Sequence, residues 1–173
     1  MMRFTKAVAA FAALALTVGA SAVSAQSYGF THPGELVTAR GQIVENLYMP
    51  GTVETICNIE VYGAVAPDGK SMIFDAYDGV QAPGDSGNLA CYGAVDFPIV
   101  VTASSANQVN LDQLFVGTRG GPCQEVNYKL AYSGNTATFS GAYFGIPAIC
   151  RAAGSLTLTA DSNGAAVNIV TLP

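Results

Sequence analysis

The chain has 173 residues, of which 50% are hydrophobic and only 11% are charged. The formal net charge is −5 at neutral pH, and the basic residues are scattered singly along the chain. Binding to nucleic acid or to anionic membrane surfaces needs clustered Lys and Arg, so the composition argues against both partner classes.

The N-terminal segment has the pattern of a secretory signal peptide. Arg3 and Lys6 precede an apolar stretch from Ala7 to Ala20, and Val23-Ser24-Ala25 supplies the small residues that signal peptidase requires. We expect cleavage after this motif, a single domain over residues 26–173, and a secreted, cell-surface or periplasmic location. The alternative, a retained membrane anchor, is disfavoured because the stretch is short, and no transmembrane segment is expected after its removal.

The remaining residues have the pattern of a β protein. Residues Gln26–Pro33 are expected to form a mobile tail, and from Val53 to Val61 every second residue can turn inward, as in a half-buried strand. Similar runs are separated by turns rich in Gly, Pro, Asp and Asn. They are Leu36–Val44, Ser71–Tyr77, Phe97–Ala103, Gln108–Val116, Glu125–Tyr132, Thr136–Phe139, Ser155–Thr159 and Ala165–Leu172. The pattern predicts an all-β, antiparallel, Greek-key-like β-sandwich.

All four cysteines (Cys57, Cys91, Cys123 and Cys150) lie after the predicted cleavage site. An even number of cysteines in an exported chain predicts two disulfides. Because sequential strands are usually neighbours, we predict the pairs Cys57–Cys91 and Cys123–Cys150, although the other two connectivities stay open. Metal sites need closely spaced ligands, which these cysteines do not offer, so we predict no metal and no cofactor.

Two motifs resemble functional sites but lack the partners that the chemistry needs. The segment Gly84–Gly87 resembles the nucleophile loop of trypsin-like serine proteases, yet His32, the single histidine, lies in the predicted tail. Asp75, Asp78 and Asp85 could offer oxygen ligands to calcium, but their spacing matches no calcium-binding loop. We therefore assign no catalytic residue and predict that the protein is not an enzyme.

Two predicted loops, Leu47–Pro50 and Phe139–Pro147, combine aromatic residues with Gly and Pro where polar residues would be usual. If exposed, they would form an apolar patch that contacts a hydrophobic partner. The alternative is that they plug the ends of the sandwich, since most aromatic side chains are largely buried. The candidate contact residues are Tyr48, Tyr143, Phe144 and Ile146.

The surroundings of the cysteines resemble a known family. Cys57-Asn58-Ile59 and the later Val65-Ala66-Pro67-Asp68-Gly69-Lys70-Ser71 are similar to the central segment of the PraB-like alkane oxidation protein activators. The similarity continues in order through Leu89-Ala90-Cys91, Pro98–Ser105, Pro122-Cys123, Cys150 and Gly154-Ser155-Leu156-Thr157. The resemblance implies a small exported bacterial protein that aids growth on hydrocarbons, and it implies no catalytic residues.

Two functional hypotheses follow. After removal of residues 1–25 the net charge becomes −7, which keeps a domain in solution while it presents a small apolar patch. The first hypothesis is a secreted, non-catalytic accessory protein that acts at a hydrophobic phase or at cell surfaces. The alternative is a structural or adhesive component of the cell surface or biofilm matrix, and glycan binding is a weaker third interpretation.

Overall fold

A computed structural model describes residues 26–47, 54–87, 91, 97–118, 121–145 and 150–173. These residues form ten β-strands and no helix. The strands are β1 (Ser27–Phe30), β2 (Leu36–Leu47), β3 (Thr55–Val65), β4 (Ser71–Gln81), β5 (Ile99–Ser105), β6 (Gln108–Thr118), β7 (Gly121–Ser133), β8 (Thr136–Phe144), β9 (Cys150–Ala160) and β10 (Ile169–Leu172). The predicted signal peptide lies outside the described residues.

Strands β2 to β9 form a closed antiparallel barrel in which each strand pairs with its neighbours in sequence. The barrel closes between β2 and β9, from the pair Val37–Ala160 to the pair Leu47–Cys150. The predicted all-β, antiparallel class is confirmed, but the predicted Greek-key-like sandwich is wrong. Apolar alternation specifies one buried face of a sheet, and it does not specify whether the first and last strands pair to close that sheet.

The strands β1 and β10 form a separate two-stranded sheet that packs across one end of the barrel, called here the β1 end. The Phe30 N–H donates a hydrogen bond of 2.7 Å to the Gly69 carbonyl. The Phe30 side chain is only 2% exposed and meets the Tyr132 ring edge-on, with 6.4 Å between ring centroids. The expected mobile tail at Gln26–Pro33 is therefore wrong over β1, because one buried aromatic ring and its backbone bonds hold this short strand.

A β-bulge changes which residues of β4 point into the barrel. The register between β3 and β4 shifts at Tyr62 and Gly63, which pair with Ala76 and Phe74 and leave Asp75 without an opposite residue. A bulge of this kind inserts one residue and reverses the inward and outward alternation beyond it. As a result Phe74 and Tyr77, three positions apart, both line the interior.

The lateral pairing of strands is incomplete towards the opposite end of the barrel, called here the disulfide end. In the described strands, β4 pairs with β5 only over Ser71–Phe74, and β7 pairs with β8 only over Ala131–Ser133. Both pairings lie near the β1 end. Towards the disulfide end, the described residues of β7 and β8 continue without a further ladder between them, and β5 begins only at Ile99.

Both disulfides lie at this end of the barrel. They join Cys57 to Cys91 and Cys123 to Cys150, the pairing expected from the order of the strands. The first ties β3 to the segment that leads into β5, and the second ties β7 to β9 past the end of β8. Each disulfide thus adds a covalent link between segments that are distant in sequence.

Candidate functional site

The interior of the barrel contains a cavity of about 120 Å³. All eight barrel strands contribute to its lining, which is almost entirely aliphatic and aromatic. Representative lining residues are Ile43, Ile59, Val101, Leu111 and Leu156. Apolar cavities with a few polar groups are the usual form of small-molecule sites in proteins, and the mouths of β-barrels are a common location for them.

The cavity is sealed at the β1 end. The Tyr132 ring lines the cavity there, and its hydroxyl donates a hydrogen bond of 2.5 Å to the Val167 carbonyl. Burial raises the pKa of Tyr132 far above its ordinary value, so the phenol keeps its proton. Phe30 packs on the same ring, and Val167 is completely buried. The described lining residues at this end therefore offer no free polar group to a bound molecule.

Glu45 gives the opposite part of the cavity a polar group. Val37, Ala39 and Ile43 are buried inward-facing residues of β2, and Glu45 is the next inward position on the same strand. Of the described residues that line the cavity, Glu45 alone carries a carboxyl group. Burial raises the pKa of Glu45 to about 7, with no hydrogen bond or cation among the described residues to oppose the loss of water. Both protonation states are thus populated near neutral pH.

The neighbouring polar group, the hydroxyl of Tyr77, already has a partner. It donates a hydrogen bond to the carbonyl oxygen of Cys91, and so holds the segment that carries one disulfide. Burial first, and then the nearby charge of Glu45, raise the pKa of Tyr77 well above its ordinary value. The phenol thus stays protonated and bound to the backbone, and among the described lining residues Glu45 remains the polar group that a cavity ligand could use.

The residues predicted as hydrophobic contacts fall in different environments. Tyr143 is 49% exposed on β8, whereas Phe144 is only 4% exposed and its ring lies 5.6 Å from that of Tyr128, between centroids. Phe144 is thus a core side chain and is not available as a surface contact. Tyr48 and Ile146 lie outside the described residues.

The protease-like motif is not assembled into a catalytic site. His32 lies at the β1 end, with Nδ1 3.4 Å from the Glu35 carboxylate, whereas Ser86 follows β4 at the disulfide end. The Asp85 carboxylate accepts hydrogen bonds from the Gln81 side chain at 2.9 Å and from the Gly87 N–H at 3.1 Å. This segment therefore forms an ordinary turn stabilised by its own side chains.

The aspartates considered for calcium do not gather either. Within the described ranges there is no group of three or more His, Cys, Asp or Glu side chains that could hold a metal ion. A separate observation concerns membranes: the described part of the chain includes no helix with the length and apolarity needed to cross a bilayer.

The cavity and Glu45 were missed at the level of sequence, although a signal for Glu45 is present. The predicted strand Leu36–Val44 already places Val37, Ala39 and Ile43 on one face. Extending the same alternation by a single position brings Glu45 inside the barrel. The cavity itself has no such signal, because it depends on closure of the sheet.

Comparison with known proteins identifies the family. The model of the alkane oxidation protein activator PraA/PraB-like family matches residues 1–166. No curated protein and no solved structure matches the chain. The family match spans the barrel, both disulfides and Glu45, and the chain therefore belongs to the alkane oxidation protein activator PraA/PraB-like family.

Proposed function

We propose that this protein is a non-catalytic accessory factor of alkane oxidation that acts outside the cytoplasm and binds a small hydrocarbon inside its barrel. The observation that carries the proposal is the apolar cavity enclosed by all eight barrel strands. The family supplies the chemical context, since its description names alkane oxidation. A protein that holds a hydrocarbon away from water raises the amount that can be supplied to an oxidising system.

The size and lining of the cavity support a hydrocarbon ligand. Apolar cavities of about 150 Å³ lined by Leu, Ile and Phe stay dry and bind benzene or xenon. The cavity here is of similar size, about 120 Å³, and has a lining of the same kind. Transfer of a hydrocarbon from water into such a site is favourable by about 25 cal/mol for each Å² of apolar surface that is buried. A ligand of about six carbon atoms is therefore the best match.

The two disulfides support action outside the cytoplasm, because disulfides persist in oxidising compartments. The polar groups of the cavity support a binding role in preference to catalysis. The Tyr77 and Tyr132 hydroxyls are held by backbone carbonyls, and the described lining offers Glu45 no other acid or base beside it. An acid and a base that act in concert would need such a partner.

The test is equilibrium binding of hexane to the exported protein with both disulfides intact. We expect saturable binding to the unmodified protein. The variant Ala39→Leu places a larger side chain in the cavity and should weaken binding by about tenfold. Ala76→Leu, on the exposed face of β4, is the matched control and should bind hexane like the unmodified protein. Equal binding by all three proteins would exclude the cavity as the site.

A second candidate function is contact with a hydrophobic phase, the cell surface or the biofilm matrix. The observation that favours it is the exposed ring of Tyr143. Substitution of Tyr143 by Ser should then reduce emulsification of hydrocarbon or adhesion to cells, whereas Ala39→Leu should leave both unchanged. The two variants separate a surface role from a role of the cavity.

A further inference from the structure

The position of Glu45 brings its carboxyl group to the edge of the cavity. The backbone register places Glu45 opposite Ala152 of β9 on one side and Thr55 of β3 on the other. Ala152 is 6% exposed and lines the same cavity as Glu45. Among the described lining residues, Glu45 is therefore the one whose carboxyl group could meet the end group of a molecule with its carbon chain in the apolar interior.

None of the described residues donates a hydrogen bond to this carboxyl. The arginines on β2 and β9 are engaged with other acids, Arg40 with Glu60 at 3.1 Å and Arg151 with Glu54 at 3.0 Å. Desolvation is the sole influence on the pKa of Glu45 from the described residues. A partly buried carboxyl without a hydrogen-bond partner is costly to a fold, and a ligand that donates a hydrogen bond removes part of that cost.

The surroundings of Glu45 favour a neutral donor over a charged one. A fatty acid would bring a second carboxylate beside Glu45, and the two like charges repel whenever Glu45 is ionised. An alkylammonium ion would lose its hydration in an apolar cavity, which costs several kcal/mol in general. A primary alcohol has a short neutral hydroxyl that can donate to the ionised carboxylate and accept from the protonated acid.

We propose that the barrel cavity selects a short primary alcohol, with its alkyl chain among the apolar side chains and its hydroxyl hydrogen-bonded to the Glu45 carboxyl. This inference rests on the proposed function, because it requires the cavity to bind hydrocarbon chains. It adds that the preferred ligand is an oxygenated hydrocarbon, of the class that hydroxylation of an alkane produces.

The experiment measures the binding of 1-hexanol and of hexane to three proteins with intact disulfides: the unmodified protein, Glu45→Leu and Glu60→Leu. Glu60 lies on the outer face of β3 and provides the matched control. Loss of a hydrogen bond to a carboxyl corresponds to a change of about tenfold or more in affinity. We expect Glu45→Leu to weaken binding of 1-hexanol by this factor and not to weaken binding of hexane. Glu60→Leu should change neither affinity.

The outcomes separate this inference from the proposed function. If Glu45→Leu changes the affinities for 1-hexanol and hexane by the same factor, the alcohol selectivity is wrong and the hydrocarbon-binding function stands. If the unmodified protein binds neither compound, the proposed function is wrong, and the alcohol selectivity that rests on it is wrong as well. Glu45→Gln serves as a second variant: its amide retains hydrogen-bonding groups, so it should restore a large part of the 1-hexanol affinity that Glu45→Leu loses.

Discussion

The two ends of the barrel are built by different means. At the β1 end, strands β1 and β10 cover the opening, Phe30 and Val167 are buried, and Tyr132 is bound to a backbone carbonyl. At the disulfide end, the described β4–β5 and β7–β8 ladders do not continue, and the disulfides Cys57–Cys91 and Cys123–Cys150 link segments of the wall. Glu45 belongs to this second end.

We attribute the stability of the fold mainly to the β1 end, and the contact with a ligand, through Glu45, to the disulfide end. Dense apolar packing and regular backbone bonds resist opening, so the β1 end should be the more rigid part of the molecule. The described strand ladders are shorter at the disulfide end, so we expect amide hydrogens there to exchange sooner.

The largest effect is expected from Phe30→Ala, which removes the ring that seals the β1 end. Substitution of a fully buried Phe by Ala typically costs about 3–5 kcal/mol, and Phe30 is 2% exposed. Denaturant unfolding of the disulfide-intact protein measures the free energy of unfolding. Leu36→Ala at a 66% exposed position near the same end is the control, and it should have little effect. A small loss for Phe30→Ala would mean that the β1 end is not the stable one.

The next effect concerns the disulfide end. Replacing Cys123 and Cys150 together by Ser opens a covalent loop of sequence separation 27, and the chain-entropy model gives a loss of about 3–4 kcal/mol for loops of this size. Amide hydrogen exchange should show which part of the barrel opens first. We expect faster exchange at the ends of β7 and β9 near the missing bond, while the Phe30 amide stays protected. Uniform acceleration through the barrel would contradict the proposed contrast between the ends.

The smallest effect is the pH dependence due to Glu45. Its pKa is raised to about 7 in the folded protein from 4.5, so ionisation costs more in the folded than in the unfolded state. Glu45→Gln should therefore stabilise the protein by at most about 3 kcal/mol above pH 8, and the gain should vanish below about pH 4, where both states are protonated. Thermal or denaturant unfolding at both pH values measures this difference.

Glu60→Gln provides a control of opposite sign for that experiment. Hydrogen bonds from Tyr62 first, and then from Arg40, lower the pKa of Glu60, so its ionised form contributes stability above its unfolded pKa. Removing this carboxylate should slightly lower stability at neutral pH and have no electrostatic effect at low pH. For Glu45→Gln, a stability gain of the same size above pH 8 and below about pH 4 would show that the Glu45 carboxyl is not desolvated.

Local patterns predicted most of the strands. The alternation from Val53 to Val61 and the turn residues between the other runs locate β2 to β10, because period-two burial and turn chemistry act over short distances. The disulfide pairs also follow from the order of neighbouring strands. The short strand β1 has too few residues for a pattern, and its stability depends on the distant ring of Tyr132.

Closure of the barrel and the cavity could not be predicted in this way. Closure depends on pairing between β2 and β9, which are more than a hundred residues apart in sequence. The aromatic run around Phe144 shows the same limit, since exposure is decided by packing against Tyr128 and not by the local sequence. Glu45 is an intermediate case. Its inward position could be predicted from the alternation along β2, but its place in the lining of a cavity could be recognised only from the closed barrel.

The most direct test of the central claim is a titration of the methyl-labelled protein with hexane, followed by NMR. The account predicts saturable shifts at interior methyl groups such as those of Val101 and Leu111, and none at the exposed Val80 and Val126. Shifts confined to the exposed methyl groups, or shifts that never saturate, would contradict binding inside the barrel.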